Sequence, residues 1–299
     1  MQLSVPVLRF GSAALRVLPD PVGVGASKVV ARAALQFSGE QRAMAERNMR
    51  RVLGADAAPE LVDRAVHGVF ESYGRYWLDT LRLPQLDTPT IDAGFTHTGL
   101  EHLIEARERG VGPIMALPHL GGWEWAARWL VAVRGWEVAA VAEALEPPEL
   151  FEWFLSLRRE MGLEIIPLGP SAGSQVSTAL AAGRITCLLA DRDLTGTGIE
   201  VEFFGERTRL PGGPALMALR SGAALLPTAV YFEGGRCHGV VEAPLDTERR
   251  GKLREDVQRV TQELAHALEA QIRRAPEQWH LLQPNWPSDY AAVGQTPPG

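Results

Sequence analysis

From about residue 113 onward the apolar residues fall into short runs bounded by Gly and Pro, with amphipathic stretches between them. The runs are Ile114–Leu117, Val138–Ala142, Glu164–Leu168, Thr186–Ala190, Ala224–Phe232 and Cys237–Ala243. Their length is that of strands. Between them the spacing predicts helices at Trp123–Val133, Pro148–Met161, Ser174–Ala182 and Gly213–Arg220, and a long one over Leu253–Arg273. Strands alternating with helices form βαβ units, because parallel neighbours need a crossover. The expected fold class is α/β, with a central, largely parallel β-sheet flanked by helices. In such sheets ligands gather outside the carboxyl ends of the strands, so those ends hold the residues to inspect.

Residues 24–83 follow a different period. Val29, Val30, Ala33, Ala34 and Phe37 share helical spacing, as do Leu61, Val62, Ala65, Val66, Val69, Phe70, Tyr73 and Trp77. Pro84 and Pro89 end this stretch. The chain is thus expected to divide into a helical amino-terminal region, residues 1–90, and an α/β core, residues 91–299, continuous with each other. At 299 residues and 46% hydrophobic content there is ample material for a core.

A formal net charge of −6 is the opposite of a nucleic-acid footprint, so no nucleic-acid partner is expected. The charge is uneven, because residues 1–52 carry eight basic side chains against three acidic ones. Such a segment fits either docking on an anionic membrane, through Arg9, Arg16, Lys28 and Arg32, or a solvated helix face. Two cysteines, Cys187 and Cys237, are too few for a disulfide framework and fit a reducing compartment. The start is broken by Pro6, Arg9, Arg16 and Pro19 and does not read as a signal peptide. No apolar run reaches the roughly 18 residues of a membrane span. A cytoplasmic protein, soluble or peripherally attached, is expected.

Two strand ends carry titratable side chains. Leu117-Pro118 delivers His119, followed by Leu120-Gly121-Gly122-Trp123-Glu124 opening a helix. An imidazole there, beside glycines that admit close approach, suits general-base work; capping or core packing is its other reading. Glu124 either orients the imidazole or bonds an arginine such as Arg158 or Arg128. Asp191-Arg192-Asp193 follows the run Thr186–Ala190, and Asp191 is the best candidate to accept a bond from His119 and fix its tautomer. Trp123, Trp125, Trp129, Trp136 and Trp153 surround this region, as core or as an interfacial aromatic set.

Asp191, Asp193, Thr195, Gly196 and Glu202 also match the spacing of a calcium loop, the basis for an alternative reading as a calcium-regulated lipid-binding module. That loop needs a helix on each side, whereas Ile199–Phe203 alternates like a strand. Arg207 and Arg209 precede Gly212-Gly213 and a helix start, a pattern that suits either a phosphate or a tight turn. There is no P-loop and no G-x-S-x-G nucleophile elbow.

Taken together, Pro118-His119-Leu120-Gly121-Gly122-Trp123-Glu124, Ala142-Glu143-Ala144-Leu145, Arg158-Arg159-Glu160-Met161-Gly162, Ala190-Asp191-Arg192-Asp193-Leu194, the segment from Phe203 to Pro227 and Trp279-His280-Leu281-Leu282-Gln283-Pro284 resemble the lipid A biosynthesis acyltransferase family, and within it the branch that acylates phosphatidylinositol mannosides. The resemblance implies an acyltransferase fold and a peripheral protein at the cytosolic face of the plasma membrane. It implies transfer of a long acyl chain, such as palmitoyl, from acyl-CoA to a mannose hydroxyl of a phosphatidylinositol mannoside, with a lysophospholipid or a lipid A-type sugar as the alternative acceptor. Acyl-CoA is then a co-substrate, and neither cofactor nor metal is expected. The family's H-x4-D/E pair falls on His119 and Glu124, the latter one methylene longer than the Asp usual in that branch. A family glutamate that relays to the histidine falls on Asp191, one methylene shorter. The family arginine that supports the motif carboxylate falls on Arg158. His119, Glu124 and Asp191 are thus the expected catalytic set. Glu143, Arg158, Arg192, Asp193, Arg207, Arg209, Gly212 and Gly213 are expected to meet substrates, and backbone N–H groups near Gly121 or Gly213 to meet the oxyanion.

Overall fold

The computed structural model describes residues 20–143 and 147–297. Arg9, Arg16, Ala144 and Leu145 lie outside the described residues. Three helices open the description: α1 (Asp20–Phe37), α2 (Gly39–Leu53) and α3 (Pro59–Arg82). Pro59 at the first position of α3 costs no hydrogen bond, since that N–H has no partner within a helix. The chain continues through α4 (Thr88–Ala93), β1 (Phe95–Thr98), α5 (Leu100–Arg107), β2 (Ile114–Leu117), α6 (Trp123–Ala132), β3 (Val138–Ala142) and α7 (Pro148–Glu160). It then forms β4 (Glu164–Pro167), α8 (Ala172–Ala181), β5 (Ile185–Leu189), β6 (Ile199–Phe203), β7 (Glu206–Leu210) and α9 (Gly213–Ser221). β8 (Leu225–Glu233), β9 (Arg236–Val241), α10 (Leu253–Arg274) and α11 (Pro287–Ala292) complete it.

Seven strands form one sheet in the order β1-β9-β8-β2-β5-β3-β4, parallel throughout except for the β8–β9 hairpin. β6 and β7 make a separate antiparallel pair. The α/β class and the largely parallel centre expected from the apolar runs are present. Side chains on β2 alternate between two cores: Ile114 and Ala116 join the cluster containing α8, α9 and α10, while Met115 and Leu117 join that of α5 and α6. Both faces of the sheet are therefore covered, which is why the central strands read as unbroken apolar runs. Met49, Val62, Val66 and Val69 of α2 and α3 belong to the first of these clusters, so the amino-terminal helices pack on the core.

Two strands were not expected. β1, the sequence Phe-Thr-His-Thr, is a mostly exposed edge strand and gives no apolar signal. β7 arises in the Arg207–Arg209 stretch because its alternate residues Thr208 and Leu210 are buried.

Candidate active site

β2 and β5 are parallel neighbours with Leu117 opposite Leu189. Two residues beyond each partner stand His119 and Asp191, so the register of the sheet brings them together. His119 Nδ1 lies 2.6 Å from Asp191 Oδ1, and the His119 amide donates to Oδ2 at 3.0 Å. Trp279 Nε1 donates to the same Oδ2 at 2.8 Å. Asp191 is fully buried, while the His119 side chain retains 35% exposure, so the imidazole reaches from a dry anchor toward solvent. Burial pushes the Asp191 carboxyl up, but the charge and hydrogen bond of His119, the Trp279 N–H and the His119 amide outweigh it. The group is held below its ordinary value. A carboxylate only accepts, so Nδ1 carries the proton and Nε2 offers its lone pair.

Glu124 sits elsewhere. Its buried carboxylate takes the Arg158 guanidinium at 2.8 Å and the Thr80 hydroxyl, and its hydrogen bonds do not include His119. Arg158 also lies over the Trp123 ring, 5.5 Å from its centre. The two groups are joined along α3, where Ser72, Tyr76 and Thr80 recur at four-residue spacing and so share one stripe. Ser72 Oγ is 2.8 Å from His280 Nε2, and the His280 amide donates to the His119 carbonyl at 2.7 Å. Burial, then the neighbouring His119, lowers the His280 pKa to about 3, so this second imidazole stays neutral. Tyr76 is pushed up by burial and by the Glu124 charge and keeps its proton.

Replacing Glu124 by glutamine should destabilise the fold by about 3 kcal/mol, since it leaves the mostly buried Arg158 guanidinium without its counter-charge. Urea denaturation checks this. Unchanged stability would mean that Glu124 does not prop the site.

Glu143 and Arg192 pair with each other at 2.7 Å across the ends of β3 and β5. Asp193 folds onto its own loop, accepting from Thr195 N and Oγ1 at 2.9 Å each and from Gly198 N at 2.7 Å. Strands β5 and β6 flank this loop where a calcium hand requires helices. Arg207 pairs with Glu200 at 3.4 Å, and Arg209 donates to the Gly196 carbonyl at 2.5 Å. Both arginines border a cleft of about 350 Å³ that also meets Asp193, Asn285 and Tyr290. Gly212 and Gly213 form the start of α9. Of the backbone donors near Gly121, the Gly121 N–H itself is taken by the Gln278 carbonyl at 3.0 Å. Gly121 has φ +57°, and a Cβ there would come 1.9 Å from the Val230 carbonyl oxygen, so only glycine fits. Trp123, Trp129 and Trp153 are buried and Trp125 and Trp136 half-buried, which makes them core.

Sequence reasoning from single residues missed Ser72, Tyr76, Thr80, Trp279 and His280. The four-residue spacing of polar side chains on α3 was a usable signal for the first three. Trp279 and His280 had only their place in a motif.

The chain matches the family described as bacterial lipid A biosynthesis acyltransferase over residues 7–288. It is 39% identical over 286 residues to a phosphatidylinositol mannoside acyltransferase of Mycobacterium tuberculosis, covering 93% of this chain and 87% of that protein. A protein of the same name from Mycolicibacterium smegmatis is 37% identical over 280 residues, covering 92% and 88%. With the family matched over nearly its whole length and these relatives covered almost end to end, the chain belongs to the bacterial lipid A biosynthesis acyltransferases.

Proposed function

We propose that this protein transfers a long-chain acyl group, such as palmitoyl, from acyl-CoA to a mannose hydroxyl of a phosphatidylinositol mannoside, with His119 as general base. The observation that carries the reading is the dyad: a buried carboxylate holding the Nδ1 side of a partly exposed imidazole at a strand end. Nε2 takes the sugar hydroxyl proton as that oxygen attacks the thioester carbonyl. Asp191 stabilises the imidazolium, which returns the proton to the departing CoA sulfur as the tetrahedral intermediate collapses. No covalent enzyme intermediate is needed. Glu124, held by Arg158 and Thr80, ties α6, the helix that follows His119, to α7 and α3.

The cleft beside Arg207 and Arg209 suits the CoA phosphates and adjoins the dyad through Asn285, whose side chain donates to the Asp191 carbonyl at 3.0 Å. The Trp77–Phe154 contact, with ring centres 5.1 Å apart, offers an apolar wall for the acyl chain. No helix among the described residues is long and apolar enough to cross a membrane. Instead α1 presents Val29 and Val30 at 67% exposure and Phe37 at 87%, with exposed Lys28 beside them. This face docks on the cytosolic leaflet of the plasma membrane, where the acceptor lies.

The test is transfer from radiolabelled palmitoyl-CoA to phosphatidylinositol mannoside in anionic vesicles, with EDTA present. One CoA should be released per acyl group transferred. Val30→Asp with Phe37→Asp should lower vesicle binding and the rate by about tenfold or more, given the apolar area withdrawn. CoA release without acylated glycolipid would make the acceptor wrong, and no CoA release would make the donor wrong. Unchanged vesicle binding would remove α1 as the docking face.

A further inference from the structure

Asp191 is held by two different stretches of chain. Its Oδ1 has the imidazole at 2.6 Å, while Oδ2 receives the His119 amide at 3.0 Å and the Trp279 indole N–H at 2.8 Å. A carboxylate gripped at one oxygen alone turns about its Cβ–Cγ bond, and the imidazole turns with it. Two donors from different stretches of chain converging on Oδ2 fix that torsion and leave Oδ1 aimed at Nδ1.

The indole is itself immobilised. Trp279 is buried, meets Phe203 and Trp286 edge-on at 86° and 89°, and is tied to Leu120 by an antiparallel bridge. A phenylalanine would fill the same aromatic cage, but only tryptophan also supplies a donor at its buried end. The same segment contributes two further bonds to the dyad, from the His280 amide to the His119 carbonyl and from Asn285 to the Asp191 carbonyl.

We propose that Trp279 is a positioning residue of the reaction, its indole N–H locking the Asp191 carboxylate so that His119 is held in the tautomer and direction that accept the substrate proton. The inference rests on the reading of His119 as the base.

The experiment compares the wild type with Trp279→Phe and with a protein carrying 3-benzothienylalanine at position 279, an indole isostere with sulfur in place of N–H. Steady-state transfer is measured together with the far-downfield proton NMR signal of His119 Nδ1–H, assigned by its loss in His119→Ala. In both Trp279 variants kcat should fall about 10- to 100-fold with KM for either substrate within about twofold, as for other bonds that orient a reacting group. The Nδ1–H signal should move and exchange faster with water. Val176→Ala, a buried α8 side chain that hydrogen-bonds neither the dyad nor Trp279, should lower stability while keeping kcat and the signal. Should Trp279→Phe fail to fold, the isosteric protein still decides. Unchanged kcat in it, or an unmoved Nδ1–H signal, would overturn the proposal. The NMR signal does not depend on turnover, so a shifted signal with transfer insensitive to His119→Ala would indict the base assignment instead.

Discussion

Replacing His119 by alanine should cut acyl transfer by about 10³-fold or more, the upper range for loss of a positioned general base. The other imidazole beside the dyad among the described residues is no substitute. His280 is buried, its Nε2 is occupied by Ser72, and its backbone rather than its ring faces His119 through a hydrogen bond. The fold should survive, because Asp191 keeps the amide of residue 119 and the Trp279 N–H as donors. Single-turnover transfer together with thermal melting checks both halves. A folded variant with turnover near wild type would sink the assignment of the base.

The second large effect is expected from Asp191→Asn. An amide placed against Nδ1 can donate to it, which forces the imidazole proton onto Nε2 and removes the lone pair meant for the sugar hydroxyl. Such a tautomer error costs about 10⁴-fold in serine protease triads, and a loss of about 10³- to 10⁴-fold is expected here. The stability difference has a definite sign with pH. The Asp191 carboxyl is held below its ordinary value in the folded state, against the pull of burial, by His119, Trp279 and the His119 amide. Its contribution is therefore complete above the unfolded carboxyl value of 3.8 and disappears as pH falls through the lower folded value. Melts of the wild type and Asp191→Asn should keep a constant gap from pH 7 to about 5 and converge only as pH falls below the unfolded carboxyl value of 3.8. A gap that widens on acidification would refute this electrostatic account.

The parts of the fold legible in the chain were those where one face, or both, had to be apolar. Ile114–Leu117 and Val138–Ala142 form strands with the bounds read from the residues, and the long helix ends at Arg274, one residue beyond expectation. β1 was invisible because an exposed edge strand needs hydrogen bonds to β9 rather than buried side chains, and those come from a partner some 140 residues away. The family resemblance drawn from ordered motifs holds. Within the site, His119 and Asp191 could be paired in advance because both leave neighbouring strands at their carboxyl ends. The fate of Glu124 could not be: whether it faced the imidazole or an arginine depended on the helix rotation that points it at Arg158 and Thr80. Charged residues read as substrate contacts, such as Glu143 with Arg192, meet each other across strands, a pairing no local pattern encodes.

The segment from Gln278 to Asp289 bears on how the protein is made. It binds residues far earlier in the chain: Trp279 and Asn285 reach Asp191, Leu281 accepts from Asn48, and Asp289 takes Arg47 and Arg51 at 2.9 and 2.6 Å. A ribosome therefore releases the sheet, both members of the dyad and the helix carrying Asn48 before it has synthesised what locks them. Until residue 289 emerges, a nascent chain holds a buried-in-waiting carboxylate with a single tether from its own side, and contacts of such long sequence separation close late. A chain interrupted after α10 would carry both His119 and Asp191 and lack the Trp279 and Asn285 bonds that converge on Asp191.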